Sequence, residues 1–319
     1  MKRHLWTVLY SLALGAFTLF LALDTFVLRS AYRSAEPMNT TVFDAQPTPE
    51  AEPVPVPAAT EAPGHAAAPA VTPDALPQGY TESSYRDGNM RVELTERMVH
   101  GTRVYIADVR VSSAAYLKTA FAGDTYGKNV TEKTSEIAIA HNAVLAINGD
   151  YYGAQEKGLV LRNGVVYRKK TRKQDLLCVW ADGSMEILDG SAARAEELAE
   201  RSAWQVFCFG PGLVDHGELT VTPKSEVRNS MASNPRTAIG MIEPCHYLFV
   251  VSDGRTEESA GLSLYELGEL MRELGAQTAY NLDGGGSSCM VFRGKVVNQP
   301  TSYGKNVRER GVSDIVYIG

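Results

Sequence analysis

The chain has 319 residues, with 31 Lys and Arg against 37 Asp and Glu, a net charge of −6. From residue 79 onward the count is 27 basic against 30 acidic, a net charge of −3. That balance leaves no basic face for nucleic acid. The four cysteines, Cys178, Cys208, Cys245 and Cys289, are far apart with no CxxC pair, which argues against a zinc site and leaves disulfides or plain burial open.

In chain order, the first element is an apolar stretch. Residues 5–23 carry no charge and follow Lys2 and Arg3. The length predicts one transmembrane helix, a signal anchor with its N-terminus in the cytoplasm, over a cytoplasmic tip and span at 1–29. A cleaved signal peptide is the competing reading, and either one exports the rest of the chain. Residues 30–78 are rich in Pro, Ala and Thr and lack apolar periodicity, so they read as a disordered, partly polyproline linker. The sequons at Asn39 and Asn129 bear on modification only in a host that glycosylates by that route. The remainder, 79–319, suits one domain, held at the outer surface of the membrane.

Within that domain residues 103–111 alternate and predict a half-buried strand. Residues 132–141 predict a short helix and 143–147 a buried strand. Three hairpins are marked by Asn163-Gly164, Asp182-Gly183 and Arg293-Gly294 between β-prone runs. A second helix is expected over 192–202. A third is better marked: Leu264, Leu267, Leu270, Met271 and Leu274 recur at helical spacing, Ser263 and Glu266 form a capping box, and Gly275 stops it. Many hairpins and few helices predict an α+β fold with a mainly antiparallel sheet system.

Four strand ends carry the chemistry. NLDGGGSS places Asp283 before Gly284, Gly285 and Gly286, whose successive amides could form an anion-binding nest, with Ser287 and Ser288 as hydroxyl donors. NGDYY brings Asn148, Gly149 and Asp150. The run ending in SDGR brings Asp253 and Arg255, and NPRTA brings Arg236. Singly, an Asn-Gly or Asp-Gly pair is an ordinary turn and a lone arginine a surface residue. Together they suit an oxygen-rich, anionic substrate, with arginine for phosphate and carboxylates for acid–base work.

These motifs, in this order, resemble the phosphodiester glycosidase family over most of residues 85–319, and the ending with Gln299-Pro300, Arg310 and a last apolar strand is similar too. Cys289 departs from the pattern, which leads us to expect a Thr or similar residue after the serines. The resemblance implies a mixed α/β domain with its site at sheet ends. It implies an exported hydrolase that cleaves a sugar-1-phosphodiester, such as an N-acetylglucosamine-1-phosphodiester or a cell-wall glycan phosphate, to free sugar and phosphomonoester. On that basis Asp283 and Asp253 are the expected base or nucleophile and Arg236 the phosphate ligand. Asn148, Gly149, Asp150, Arg255, Gly284, Gly285, Gly286, Ser287 and Ser288 are expected to line the substrate, with Arg310 supporting them. No metal or cofactor is required. Two alternatives stay open: a phosphodiesterase that attacks phosphorus, and an envelope module that binds phosphate-bearing glycans without turnover. The histidines of the linker and the domain, His65, His100, His141, His216 and His246, are not at ligand spacing and read as packing or surface residues.

Overall fold

The structure is a computed structural model that describes residues 2–28, 30–31, 36–37, 79–225, 233–302 and 306–319. Among these every strand pairing is antiparallel. The largest sheet has nine strands. In spatial order they are Glu218–Leu219, Gly212–Asp215, Thr278–Asn281, Arg236–Glu243, His246–Ser252, Thr102–Val111, Met90–Val99, Ser84–Arg86 and Gly79–Tyr80. A five-stranded sheet runs Lys295–Val296, Met290–Phe292, Leu145–Asn148, Asp314–Ile318 and Leu117–Phe121. A six-stranded sheet is built around Asp175–Trp180 and Ala203–Phe207, with Val160–Arg162 and Val165–Arg168 beside them.

One apolar core is shared by the three sheets. Ala107, Val109, Phe249 and Tyr280 come from the first, Leu145, Ile147 and Val316 from the second, and Leu177 and Phe207 from the third. Each sheet then uses its far face for a helix. Leu264–Glu273 covers the nine-stranded sheet through Leu264, Leu267, Leu270 and Met271. Its capping box is formed, with Ser263 Oγ accepting from Glu266 N at 3.1 Å and Glu266 Oε2 accepting from Ser263 N at 2.8 Å. Thr134–Ala140 covers the five-stranded sheet and Ala195–Glu200 the six-stranded one. The expected α+β architecture is therefore present. Two helices are shorter than their sequence patterns predict, and for the first the reason is tertiary: Glu132 and Lys133 pair as a strand with Val312 and Gly311.

The hairpins follow their turn residues. Asn163 and Gly164 both have positive φ, at 50° and 75°, as do Arg293 and Gly294, at 49° and 76°. All four cysteines are free thiols, three of them buried. His246 Nε2 lies 3.0 Å from Asp108 and His141 3.0 Å from Asp124, while His216 is on the surface.

The N-terminal expectations need correction. A helix forms at Lys2–Phe26, with exposed apolar side chains such as Leu12, Phe17 and Leu19. Yet among the described residues no helix is long and apolar enough to cross a membrane, so the expected span is not found. The uncharged run rises only about 28 Å, against roughly 30 Å of hydrocarbon, and Tyr10, Ser11 and Thr18 dilute it. Nor does the next segment begin as a free linker. Ser30–Ala31 pairs with Gly127 and Lys128, Glu36–Pro37 pairs with Val165 and Val166, and Lys128 Nζ meets Asp24 at 3.3 Å. Residues 38–78, including Asn39 and His65, lie outside the described residues.

Candidate active site

Four strand ends meet on one rim. The Arg236 and His246 strands form a hairpin with Arg236 opposite Ser252, and Ala238 pairs with Asn281. The end of Thr278–Asn281 therefore emerges beside the start of Arg236–Glu243 and, one strand further, the end of His246–Ser252. The five-stranded sheet delivers Asn148 to the same place. Asn148 Nδ2 donates to Asp283 O at 2.6 Å, while its Oδ1 accepts from Thr237 Oγ1 at 2.9 Å and from Cys289 N at 3.2 Å. Asn148 is fully buried with its amide committed, so it joins the two sheets and presents nothing to a ligand.

Asp283 is the centre of this rim, with 9% of its surface exposed. Arg310 Nη2 lies 3.3 Å from its Oδ2 and also donates to Ser287 Oγ. Burial pushes the Asp283 carboxyl up to about 6. A hydrogen bond from Ser287, the Arg310 charge and the Gly284 amide oppose that rise, while the Asp150 charge adds to it. A carboxyl placed there changes protonation near neutral pH, the range a catalytic acid or base needs.

Of the glycine amides expected to form a nest, that of Gly285 is committed inside the protein. Gly285 N donates to Pro235 O at 2.8 Å, Ser287 N to Gly284 O and Ser288 N to Gly285 O, both at 3.2 Å. These amides are spent within the protein. What the glycines supply is closeness: a Cβ on Gly284 would fall 2.9 Å from Pro235 O, and one on Gly285, whose φ is 60°, would fall 3.0 Å from Arg255 Nη2. Ser288 is buried, and its Oγ has no partner among the described residues. Cys289 packs in the core under the rim, its Sγ donating to Glu309 at 3.3 Å.

The two expected arginines differ. Arg236 is only 4% exposed, and its Nε donates to Leu262 O at 2.8 Å. Arg255 is exposed and forks Nε and Nη2 onto Asn234 Oδ1 at 3.2 and 3.0 Å. Arg310 has 41% of its side chain exposed and pairs with Asp283.

Asp253 is buried and accepts from Tyr105 OH at 3.2 Å, Gln299 N at 2.8 Å and Asn298 Nδ2 at 3.3 Å. Burial raises its pKa, and these donors pull it back. Asn298 also donates to Ser288 O, so it ties Asp253 to the wall behind Asp283.

Asp150 points inward, into a buried ion cluster that sequence reasoning missed. Arg162 Nη2 lies 2.8 Å from Asp150 Oδ1 and 3.0 Å from Asp314 Oδ2, and Arg162 Nε donates to Asp314 Oδ2 at 3.1 Å. Asp150 also accepts from Tyr152 N at 3.2 Å and Cys208 N at 2.8 Å. Asp314 is raised by burial against the pull of Arg162. The cluster braces Gly149. Its N donates to Asp314 O at 2.9 Å, its O accepts from Asp283 N at 3.2 Å, and a Cβ there would sit 2.1 Å from Asp314 Oδ1. The available signal was charge inside apolar strands, at Arg162 after GLVL and at Asp314 before IVYI.

Among the described residues no three His, Cys, Asp or Glu side chains gather as a cation site would require.

The sequence profile of the phosphodiester glycosidases matches residues 141–319. The chain belongs to the phosphodiester glycosidase family. All the residues of the rim lie inside the matched region. Among relatives, the chain is 26% identical over 179 residues to the SPbeta prophage-derived protein YomE of Bacillus subtilis (strain 168), covering 54% of this chain and 28% of that protein. It is 37% identical over 68 residues to mouse N-acetylglucosamine-1-phosphodiester alpha-N-acetylglucosaminidase, covering 21% of this chain and 13% of that protein. It thus spans less than a third of the length of either relative. Among solved structures it is similar to the zebrafish catalytic domain of the latter enzyme, auto-inhibited by its pro-peptide. The TM-score is 0.58 at 16% identity, over 93% of this chain and 98% of that one. A hypothetical protein from Synechocystis gives 0.55 at 15% identity, over 72% and 62%. The likeness to the zebrafish domain shows that the chain shares its fold over most of its length.

Proposed function

We propose that the chain hydrolyses a sugar-1-phosphodiester at the glycosidic C–O bond, releasing the free sugar and a phosphomonoester. The observation that carries this reading is the Asp283–Arg310–Ser287 group. A carboxyl held near neutral pKa touches a solvent-open guanidinium on the rim of a phosphodiester glycosidase domain. The leaving group is a phosphomonoester, whose second pKa is about 6, so it departs without a strong general acid. What remains is to hold the phosphate and to meet an oxocarbenium-like carbon.

In this reading ionised Asp283 serves the anomeric carbon, as nucleophile or as the base that takes a proton from water. Arg310 and Arg255 meet the phosphate, because they are the guanidinium groups that reach solvent beside Asp283 and Gly285. Arg236, closed in behind Gly284, contributes positive potential rather than contact. Asp253 fixes the Asn298 wall, and Asn148 and Asp150 fix the backbone around Asp283. No step draws on a metal or cofactor. N-acetylglucosamine is the first sugar to test, since the mammalian relatives are named for it. The apolar N-terminal run and the Pro-rich residues after it support a domain working outside the cytoplasm; protease digestion of intact cells reads this directly.

The decisive experiment is hydrolysis of the methyl phosphodiester of N-acetylglucosamine 1-phosphate in ¹⁸O water. Label is expected in the sugar. Label in the phosphate would mean attack at phosphorus, and tight binding without product would mean a glycan-binding module.

A further inference from the structure

Among the described residues, eleven other than glycine have positive φ, and most are the Asn, Asp and His residues that tolerate it in turns. Two lie on the rim. Arg255, at φ 63°, belongs to the site already described. The other is Tyr151, at φ 62°, and it has no role there.

The geometry around Tyr151 is specific. It comes directly after Asp150, and two residues before it Gly149 O holds Asp283 N at 3.2 Å. Its neighbours in the chain are fixed inward: Asp150 in the ion cluster, and Tyr152 stacked on Tyr126 with ring centroids 5.1 Å apart. Tyr152 N donates to Asp150 Oδ1, and Ala154 N donates to Tyr151 O at 3.3 Å. These bonds impose the left-handed backbone on the residue between them. The consequence is that Tyr151 turns outward, 40% exposed, and its side chain makes no hydrogen bond or ring contact with the described residues. A bulky residue in this region is a backbone outlier that the surroundings must over-determine, and such outliers gather at ligand sites. The place of Tyr151 on the rim is two residues along the chain from Gly149, whose carbonyl holds the Asp283 amide.

We propose that Tyr151 is the sugar platform of the site: a specificity-determining residue whose ring stacks on the apolar face of a pyranose while Asp283 faces the anomeric carbon. The assignment of the sugar to this side rests on the hydrolase reading above. Stacking of this kind acts on bound substrate and transition state alike, so it falls mainly on KM.

The test uses the full chain as wild type, Tyr151→Phe and Tyr151→Gly, with the methyl phosphodiester of N-acetylglucosamine 1-phosphate. Glycine accepts the left-handed backbone without strain. Tyr151→Gly should therefore melt no lower than wild type, while its KM rises roughly three- to tenfold with little change in kcat. Tyr151→Phe should keep KM within about twofold, since the ring face is retained. Saturation-transfer NMR with N-acetylglucosamine 1-phosphate reads the same contact without turnover. Signal on the ring protons should appear with wild type and Phe and vanish with Gly. A wild type that shows this transfer but hydrolyses nothing ends the hydrolase reading and leaves the platform standing. Equal KM and equal transfer in wild type and Tyr151→Gly, a clear drop in melting temperature for Tyr151→Gly, or no transfer in the wild type, would overturn it.

Discussion

Two carboxylate–guanidinium groups lie a few residues apart in this protein, and they do opposite jobs. In one, Arg162 is sealed between Asp150 and Asp314, all three essentially without solvent exposure. In the other, Arg310 reaches Asp283 with 41% of its side chain open to water. The first has most of its hydrogen-bonding capacity satisfied inside the fold, including backbone bonds from Tyr152 and Cys208 to Asp150. The second retains open donor capacity. The contrast separates what holds the rim from what can react on it: a buried ion pair is costly to disturb, and a half-open one is available to a ligand.

That contrast can be broken from its strongest side. Arg162→Met leaves two carboxylates buried without their cation, so it should destabilise by about 3–5 kcal/mol. Urea denaturation followed by tryptophan fluorescence measures this, and a midpoint equal to wild type would erase the distinction. Asp283→Asn should do the reverse, lowering kcat/KM on the order of a hundredfold or more while the protein stays folded. The sign of its stability change is set by its pKa. Burial raises Asp283 to about 6, above the roughly 3.9 of an unfolded aspartate. The ionised form is thus penalised in the folded state, and stability is lost as pH rises from about 4 through about 6. At pH 7 the Asn variant escapes that penalty, and its urea midpoint should not fall below wild type. The smallest effect sharpens the comparison. Since Asp283 acts ionised, kcat/KM should rise with pH through about 6. Arg310→Met removes a charge that pulls this carboxyl down, so the limb should move to higher pH; a pH–rate profile that does not move would detach Arg310 from Asp283.

Local chemistry was the most legible part of the sequence. Asn163-Gly164 and Arg293-Gly294 mark their hairpins because a tight turn demands positive φ, and Ser263 with Glu266 marks a helix start because its first amides need acceptors. The meeting of Asp283, Arg236, Asp253 and Asn148 was expected from the resemblance of the motifs and their order to the phosphodiester glycosidase family, not from strand ends alone. What each residue faces was not. Asp150 and Arg236 look like ligand residues in sequence, but the sheets close over both. Arg162 and Asp314 each stand out as a charge inside an apolar strand, but their partnership spans 152 residues, so neither names the other. The glycine run misled for a related reason: the Gly285 amide answers to Pro235, a neighbour that only the folded sheet supplies.

Because Gly285 is pinned to Pro235, and Gly149 is clamped between Asp314 and Asp283, the floor of the rim is cast before any substrate arrives. Such a mould has little to reorganise on binding. Crystals grown with and without a glycosyl phosphate should then superpose along this backbone, and inhibitors can be shaped to it as to a fixed template.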